Sequence, residues 1–399
     1  MGSIARTTFS RSATEGVSAM RLDRVLIVGG GIAGMCTALA LRHRRIAGEI
    51  EIVELNPKWD VYGAGILLAA NALRALDTFG LADRVIAGGY PSPSTILYAP
   101  NGVQINELVT PPIAGTSYPS ILGIARPVLH RILQAAIREA GVRVVLGVTI
   151  DAIEHAGNHV MVQFSDGREA TYDLVVGADG LRSKVRRLAF PEVPPPRYED
   201  QMVWRYAFPF RAEGLDASWI YLGDPKVGVA PMAQDAMYMF ITEGAPGQPL
   251  RFPEEQLAEE MRKRLASYQH VPRLVALAEA MTDPARVVLR PFETILVPKP
   301  WHRGRIVLVG DAAHTLTAHT AQGGAMAIED TVVLAEELDR HRELEAALAA
   351  YVERRFDRVR RMWEYSLELC VLERTHDPRA PIESPKLMAA ATELAAQPI

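Results

Sequence analysis

The sequence predicts an α/β fold, in which a Rossmann-like domain carries an inserted mixed β-sheet and is followed by C-terminal helices. Two short apolar runs, residues 24–28 and 305–309, are rich in β-branched residues and end at glycine, as buried parallel strands do. Residues 200–297 contain mostly strand-like segments, and the chain from Gly323 onward is largely helical. We therefore expect the chain to leave its first domain, form a second sheet and return.

Length and composition exclude several classes of protein. The 399 residues carry a formal net charge of −4, which argues against nucleic acid as the main partner. The two cysteines, Cys36 and Cys370, are too few for a disulfide framework or a cysteine metal site, so we expect a cytoplasmic protein without metal. No apolar run approaches the roughly 18 residues of a membrane-spanning helix. Residues 1–22 are expected to form a disordered extension.

The segment that begins at residue 24 predicts one strand–helix–strand unit. Helix formers from Ile32 to Arg44 follow the first strand, and residues 49–54 then alternate apolar and polar side chains. Residues 128–140 have the spacing of an amphipathic helix, which Gly141 closes. Further strands are predicted at 142–146, 150–155, 159–164, 174–176, 202–210, 219–222, 236–241 and 286–289, with a helix at about 254–266 and a proline-rich linker at 191–200.

A glycine-rich turn joins the first strand to the first helix, and residues 29–34 (GGGIAG) satisfy the pattern G-x-G-x-x-G. In this pattern Gly29 makes the tight turn, Gly31 lets the backbone approach a pyrophosphate, and Gly34 lets the helix pack closely on the sheet. Glu54 ends the next strand, where a carboxylate accepts hydrogen bonds from ribose hydroxyls. These residues predict a dinucleotide site; the alternative is an ordinary turn with a surface glutamate.

Two later strands also end in small residues and one aspartate. Residues 174–180 (LVVGADG) end at Asp179, and residues 305–314 (RIVLVGDAAH) contain Asp311 after Gly310. Each aspartate alone could cap its own loop. Ligands of open α/β sheets bind at the carboxyl ends of the strands, so three such turns in one chain predict a shared ligand.

Together these motifs resemble the three fingerprints of the class A flavoprotein monooxygenases, the family of p-hydroxybenzoate, salicylate and urate hydroxylases. The resemblance extends from about residue 24 to residue 370. It implies a GR2-type FAD-binding Rossmann-like domain with bound FAD. Further matching segments are Gly63-Ala64-Gly65-Ile66 with Asn71, Arg126-x-x-Leu129-x-x-x-Leu133, and Ala321-Gln322-Gly323-Gly324 leading to Glu329-Asp330.

The resemblance also implies roles for individual residues. Glu54 would bind the adenosine ribose, Arg126 and Asp179 would lie along the FAD and its pyrophosphate, and Asp311 would bind the ribityl or phosphate region. A helix start would face the isoalloxazine ring, because a helix N-terminus stabilises the negative charge of reduced flavin. The expected cofactor-binding residues are Gly29, Gly31, Ala33, Gly34, Glu54, Arg126, Asp179, Asp311, Gln322, Gly323, Gly324 and Ala325.

The chain departs from the family between Asp311 and Gln322. Family members usually carry a proline four residues beyond the histidine of the third fingerprint and a glycine before the glutamine; this chain has Ala318 and Ala321 there. His319 lies beside these positions and is a candidate general base for a substrate hydroxyl. A structural or solvated role is the alternative for such a histidine.

The inserted sheet should supply the wall of the substrate site, as it does in the family. Arg205 could pair with an anionic substrate or the flavin, and Tyr206 would point to the opposite face of the same strand. Tyr238 is a second candidate. A packed aromatic residue or a surface-paired arginine would explain these residues equally well. Arg205, Tyr238 and His319 are therefore the candidate catalytic residues.

The function that the resemblance implies is NAD(P)H-dependent aromatic hydroxylation. NAD(P)H would bind transiently, and O₂ would form a flavin C4a-hydroperoxide that hydroxylates a phenolic or hydroxylated N-heteroaromatic acid. A flavin-dependent reductase or dehydrogenase of the same fold, and a non-catalytic nucleotide sensor, remain alternatives. The expected partners are a small aromatic substrate, O₂ and NAD(P)H, without nucleic acid or membrane, for a monomer or homodimer.

The expected domain boundaries follow from the linker and the return of the parallel-strand pattern. We expect the FAD-binding domain at residues 23–195, with embedded strands of the substrate domain, and the substrate-binding sheet at 196–297. The FAD-binding domain should return, with the C-terminal helices, at 298–372, and a tail should occupy 373–399.

Overall fold

The computed structural model of the protein describes residues 20–399 except 62 and 64, so the expected extension lies outside the described residues as far as residue 19. The strands are β1 (Leu22–Val28), β2 (Ala47–Glu54), β3 (Gly65–Ala69), β4 (Tyr90–Ser92), β5 (Ser94–Tyr98), β6 (Gln104–Val109), β7 (Ile121–Ala125), β8 (Arg143–Leu146), β9 (Ile150–Ala156), β10 (His159–Phe164), β11 (Glu169–Tyr172), β12 (Leu174–Gly177), β13 (Arg197–Phe208), β14 (Ser218–Tyr221), β15 (Lys226–Ala233), β16 (Ala236–Gly244), β17 (Val287–Leu296), β18 (His302–Arg303), β19 (Ile306–Leu308) and β20 (His314–Thr315).

The helices cluster before, between and after these strands. They are α1 (Ile32–His43), α2 (Ala70–Asp77), α3 (Ala82–Ala87), α4 (Arg126–Glu139), α5 (Lys184–Ala189), α6 (Leu257–Lys263), α7 (Pro272–Ala280), α8 (Gly323–Arg340), α9 (Leu344–Arg374) and α10 (Ala380–Ala396). Among the described residues, no helix combines the length and the apolar character needed to cross a membrane.

A six-stranded sheet of order β18-β19-β12-β1-β2-β8 holds the predicted strand–helix–strand unit. All its neighbouring pairs are parallel except β18–β19. Residues 25–28 of β1 are almost completely buried, because the strand lies inside a sheet covered on both faces. Since β1, β12 and β19 run in the same direction, the turns that follow them leave the sheet at one edge. The predicted α/β fold class is confirmed.

An eight-stranded sheet of order β20-β17-β13-β16-β15-β14-β5-β6 forms the second layer. Its pairs are antiparallel except β14–β5, so it is a mixed sheet. Strands β5 and β6 come from residues 94–109, far from the 197–296 segment that supplies most of the sheet. Two three-stranded sheets, β3-β7-β4 and β9-β10-β11, complete the strand arrangement.

The two faces of the large sheet differ in what they contact. One face carries Trp204, Tyr206 and Met239 and packs on α6 and α7 in a separate apolar cluster. The opposite face carries Ala207 and Tyr238, which pack with residues of β3 and β7. Because side chains alternate along a strand, Arg205 shares the second face while Tyr206 lies on the first, as expected.

Several predicted elements need correction. The linker predicted at 191–200 ends earlier, since β13 begins at Arg197 and pairs there with β17 through Arg197–Thr294 and Tyr198–Glu293. The polar side chains at the start of β13 do not have the pattern of a buried strand, although Glu199 is buried and accepts a hydrogen bond from Thr294. The helix predicted at 254–266 is shorter, and a second helix, α7, follows it. The segment 373–399, expected as a tail, contains α10.

Candidate cofactor and substrate site

The three glycine-and-acid turns meet at the edge of the parallel sheet. Gly29 has φ +108°, and a Cβ atom added there would collide with the carbonyl oxygen of Ala178, next to Asp179. Gly310 has φ +57°, and an added Cβ would lie 3.0 Å from the Cβ atoms of both Ala33 and Ala327. Backbone packing thus brings the first turn against the second and the third turn between α1 and α8.

Two other glycines border open space. A Cβ atom added to Gly31 or to Gly323 would meet no atom of the described residues within 4 Å. Gly31 also has an ordinary φ of −80° as the residue before α1. Neither backbone strain nor protein packing therefore explains these two glycines. Each lies at the start of a helix, where unpaired N–H groups and the helix dipole favour an anionic group.

Glu54 ends β2 beside the first turn and holds that turn in place. Its carboxylate accepts hydrogen bonds from the backbone N–H of Gly30 at 2.7 Å and of Asn56 at 2.7 Å. The indole of Trp59 donates to the carbonyl of Gly30 at 2.9 Å, and its side chain is buried. A carboxylate has about four acceptor positions, so Glu54 can still accept from ribose hydroxyls. The sequence pattern did not reveal Trp59, which lies in a loop of no regular period.

Asp179 caps its own loop, one of the two roles that the sequence left open. Its carboxylate accepts hydrogen bonds from Ser183 Oγ and from the backbone N–H groups of Lys184 (2.6 Å) and Val185 (3.1 Å). Burial raises the pKa of Asp179, while these hydrogen bonds oppose the rise. Arg186 then donates to the carbonyl of Ala312 at 2.7 Å and so links the second turn to the third.

Asp311 and Arg126 form no hydrogen bond or ion pair through their side chains with other described residues. Both side chains are exposed to solvent. Protein atoms nevertheless crowd Asp311 closely enough that desolvation raises its pKa, an effect that His314 and the nearby charge of Arg126 partly offset. A residue that is both exposed and crowded lies in a concavity. Asp311 therefore faces a groove at the edge of the sheet, and Arg126 lies near enough for its charge to act there.

The segment before α8 is held in an uncommon backbone conformation. Ala321 has φ +54°, the left-handed region that a glycine adopts without strain and that costs an alanine on the order of 1 kcal/mol. The alanine thus retains the conformation that the family's glycine would favour. Gln322 directly precedes α8 and accepts a hydrogen bond from Asn71 at 3.0 Å. Asn71 also donates to Glu329 at 2.8 Å and links the start of α8 to its buried interior.

A buried charge network supports α8 from below. Arg355 on α9 donates to Glu329 at 2.7 Å and to Asp330 at 2.8 Å, and Arg358 makes two further bonds to Glu329. Despite burial, Arg355 and Arg358 lower the pKa of Glu329, and His314 and Arg355 lower the pKa of Asp330. Asp330 in turn accepts from the backbone N–H of Gly310 at 2.9 Å. The glutamate and aspartate of the third motif thus fix the third turn from behind, rather than facing the groove.

The inner face of the large sheet presents Arg205 and Tyr238. Neither the Arg205 guanidinium group nor the Tyr238 hydroxyl forms a hydrogen bond or ion pair with another described residue. Desolvation and the nearby charge of Arg126 lower the pKa of Arg205 to about 10, which still leaves a cation at neutral pH. The Tyr238 ring packs against Gly65, where a Cβ atom would clash with it. Arg126 and Arg205 therefore approach one space from the two domains.

The structure places the His319 side chain elsewhere. It is buried, its Nδ1 lies 3.0 Å from Thr317 Oγ1, and its Nε2 lies 3.5 Å from a carboxylate oxygen of Glu373. Its ring packs against Phe292 at an angle of 55°. Burial lowers the pKa of His319, so the neutral imidazole dominates at neutral pH. None of these contacts is with Arg205 or Tyr238. A direct catalytic role for His319 stays a prediction.

These residues fit FAD on structural grounds. Glycines that border open space at two helix starts, an unpaired Asp311 and Arg126 in a groove, and Glu54 beside the first turn are spread along one edge of the sheet. Such a row suits an elongated ligand with a ribose at one end, a pyrophosphate in the middle and an electron-accepting ring at the start of α8.

Comparison with known proteins agrees with this arrangement. A family described as FAD binding domain matches residues 23–366. The chain is 34% identical to aurachin C monooxygenase/isomerase of Stigmatella aurantiaca, over 84% of this chain and 85% of that protein. It is 28% identical to 6-hydroxynicotinate 3-monooxygenase of Pseudomonas fluorescens, over 92% and 99%. Crystalline HpxO of Klebsiella pneumoniae, complexed with FAD and uric acid, has the same fold, with a TM-score of 0.83, 23% identity and coverage of 94% and 97%.

Proposed function

The chain belongs to the FAD binding domain family and is an FAD-dependent monooxygenase, and we propose that it hydroxylates a small aromatic or N-heteroaromatic acid that already carries a ring hydroxyl. NAD(P)H supplies the two electrons. One atom of O₂ enters the ring and the other leaves as water. The relatives that act on 6-hydroxynicotinate and bind uric acid support a hydroxylated nitrogen heterocycle as the substrate class.

One observation carries this proposal: Arg205 is a crowded cation without an acidic partner. A guanidinium group that is partly withdrawn from water usually pairs with a carboxylate. Arg205 instead lies beside Arg126, whose charge adds to the cost of keeping both groups ionised. An anionic ligand would offset that cost. If Arg126 pairs with the FAD, Arg205 is the cation that is left for the substrate.

Arg205 can bind either of two anionic groups on such a substrate. Paired with a carboxylate, it can form two parallel hydrogen bonds that fix the position of the ring. Placed near the ring hydroxyl, its charge would favour the deprotonated form and so enrich the ring in electrons at the carbon to be hydroxylated. The Tyr238 hydroxyl, free of other described residues, can donate a hydrogen bond to the same group.

Apolar side chains line the remainder of this face and would exclude water from the substrate ring. The cluster around Tyr238 contains Ala230 and Met232, with Leu67 and Ala125 from the opposite domain. Exclusion of water matters because it strengthens each charge interaction within the site. FAD supplies the electron transfer and the activation of oxygen; the protein binds, orients and shields the substrate.

The test uses matched pairs of compounds. The purified protein is examined for a flavin absorption spectrum, and NAD(P)H oxidation is then followed with 6-hydroxynicotinate, 4-hydroxybenzoate and the carboxamide of each acid. We expect an acid to stimulate NAD(P)H oxidation and to gain one atom of ¹⁸O from ¹⁸O₂, while its carboxamide binds more weakly. Acids and carboxamides of equal affinity would rule out recognition of the carboxylate by Arg205. Flavin reduction without ¹⁸O in any product would rule out hydroxylation of these classes.

A further inference from the structure

One face of α9 joins the substrate sheet to the segment that precedes α8. Ser366, Cys370 and Glu373 are spaced four and three residues apart, so they lie on the same side of the helix. Ser366 Oγ donates to the carbonyl of Thr317 at 2.7 Å, and Thr317 Oγ1 donates to the carbonyl of Ser366 at 2.8 Å. Cys370 Sγ contacts Gln201 on β13 at 3.1 Å. Helix α9 therefore contacts both the substrate sheet and the segment before α8 with the same side.

Glu373 is the residue at which these contacts converge. Its carboxylate accepts hydrogen bonds from Gln201 on β13 (2.8 Å), from Lys226 on β15 and from Thr242 on β16. The fourth neighbour is the imidazole of His319 at 3.5 Å. One carboxylate thus touches three neighbouring strands of the substrate sheet and the segment that leads to α8. The charge of Lys226 is the largest influence that lowers the pKa of Glu373 well below its usual range, so Glu373 is ionised at neutral pH.

The contacts on the sheet belong to the face that carries Arg205. In the strand register Thr242 lies opposite both Lys226 and Val203, and Phe240 lies opposite Arg205. Thr242 is two residues from Phe240 on β16, and side chains two residues apart share a face at a distance of about 7 Å. Glu373 therefore contacts the sheet about two residues along the strands from Arg205, the proposed substrate-binding residue.

The contacts on the other side belong to the segment that would face the flavin. His319 precedes the strained Ala321 by two residues, and Gln322 at the start of α8 follows directly. A left-handed alanine persists only where surrounding contacts hold it. Helix α9 holds Thr317 through the two hydrogen bonds with Ser366, and Glu373 packs within 3.5 Å of the imidazole of His319. The start of α8 and the Arg205 face are thereby tied to a common helix.

We propose that Glu373 is a positioning residue that fixes the flavin-facing start of α8 relative to the substrate-binding face around Arg205. The proposal rests on the proposed function, for which that relative position decides where the activated oxygen goes. In correct register one oxygen atom enters the ring and the other becomes water. Out of register, the two electrons of NAD(P)H and two protons reduce O₂ to H₂O₂, and the ring is unchanged. A misplacement of the reacting groups on the order of 1 Å can lower the rate of a chemical step by about 100-fold.

The experiment compares Glu373→Gln with Glu368→Gln, a matched change at an exposed position on the same helix. For each enzyme, product and H₂O₂ are measured per NAD(P)H consumed, together with the FAD dissociation constant and the visible circular dichroism of the bound flavin. We expect Glu373→Gln to shift the yield from product to H₂O₂ by roughly threefold or more and to change the flavin dichroism. Glu368→Gln should match the wild type in both measurements.

A second variant keeps the test decisive if Glu373→Gln does not fold. His319→Gln removes the imidazole on the flavin side and leaves the three contacts to the sheet. It should raise the H₂O₂ yield as well. The double variant should give no more H₂O₂ than the stronger single variant, because both changes disrupt the same contact between Glu373 and His319. Additive effects of the two changes, or an unchanged product yield in either variant with normal FAD binding, would overturn the proposal.

Failure of the proposed function has a different signature. If the wild-type protein hydroxylates no aromatic acid, the yields give no information, but flavin dichroism and FAD affinity still report the position of α8. Equal dichroism in Glu373→Gln and Glu368→Gln would then refute the positioning role. A changed signal in Glu373→Gln alone would support that role although the substrate class was wrong.

Discussion

Arg126 lies close enough to Arg205 for its charge to lower the pKa of Arg205, and no carboxylate of the described residues pairs with either side chain. Arg126 begins α4 on the cofactor side, and Arg205 lies within β13 on the substrate sheet. Two unpaired cations facing one space attract anions. An anionic group of the FAD at Arg126 and one of the substrate at Arg205 would offset the repulsion between the two side chains.

Replacement of Arg205 by glutamine should weaken the binding of an aromatic acid and leave FAD binding intact. A hydrogen bond to a charged group contributes about 1.5–3 kcal/mol, which corresponds to a loss of roughly 10- to 150-fold in affinity. The affinity for the uncharged carboxamide should change less. Titration of each compound against the flavin spectrum measures these effects, with Arg251→Gln at an exposed position as the control. An equal loss for acid and carboxamide would contradict pairing of Arg205 with the carboxylate.

Substitutions at two glycines of the first turn should have different effects, one on cofactor binding and the other on folding. The new Cβ of Gly31→Ala meets no atom of the described residues within 4 Å and requires no unusual φ, so the stability of the apoprotein should stay within about 1 kcal/mol of the wild type. Its FAD affinity should fall, because the new methyl group occupies the space proposed for the pyrophosphate. Gly29→Ala should instead destabilise the apoprotein, since its Cβ would collide with Ala178. Isothermal titration with FAD and urea unfolding of the apoproteins test both statements, and undiminished FAD affinity in Gly31→Ala would refute the first.

Removal of Glu329 should destabilise the fold severely. Glu329→Ala removes the carboxylate that neutralises Arg358 and part of the negative charge that neutralises Arg355, while both arginines stay buried. Breaking a buried ion pair from one side costs about 3–5 kcal/mol. Glu364→Ala breaks an exposed pair with Arg360 on the same helix and should cost about 0.5 kcal/mol or less. Urea unfolding measures both values. A small effect of Glu329→Ala would mean that the network adds little to stability.

His319 should make folding less favourable in acid. Burial lowers its pKa in the folded protein below the ordinary value of 6.5, so the unfolded chain binds the proton more readily. The free energy of unfolding should therefore fall as the pH drops through about 6.5, by at most about 1.4 kcal/mol per pH unit for one group. His130 and His302 shift in the same direction and retain their share in His319→Gln. Unfolding measured between about pH 5.5 and 7.5 should show a shallower slope in the variant; an equal slope would contradict this.

The sequence revealed those parts of the site that depend on local pattern. Gly31 and Glu54 could be identified because a strand, a tight turn and a helix impose their spacing on neighbouring residues. Arg205 could be placed on a face by strand alternation, and the structure keeps it there. The roles of Trp59 and Glu373 could not be predicted, because their contacts join segments far apart in the chain. His319 shows the same limit: its position beside Gln322 was visible, but α9 decides which way its side chain points.

The pairing order of the parallel sheet has a consequence for how the protein is made on the ribosome. Strand β12 separates β1 from β19, so the third turn, at Gly310, joins the first only after nearly 300 further residues have been synthesised. Until then the nascent chain holds the first two turns but not the wall formed by α8. Contacts between segments so distant form slowly. We therefore expect the flavin to be incorporated near the end of translation or after it, and a shortage of flavin to leave a full-length chain with an open groove.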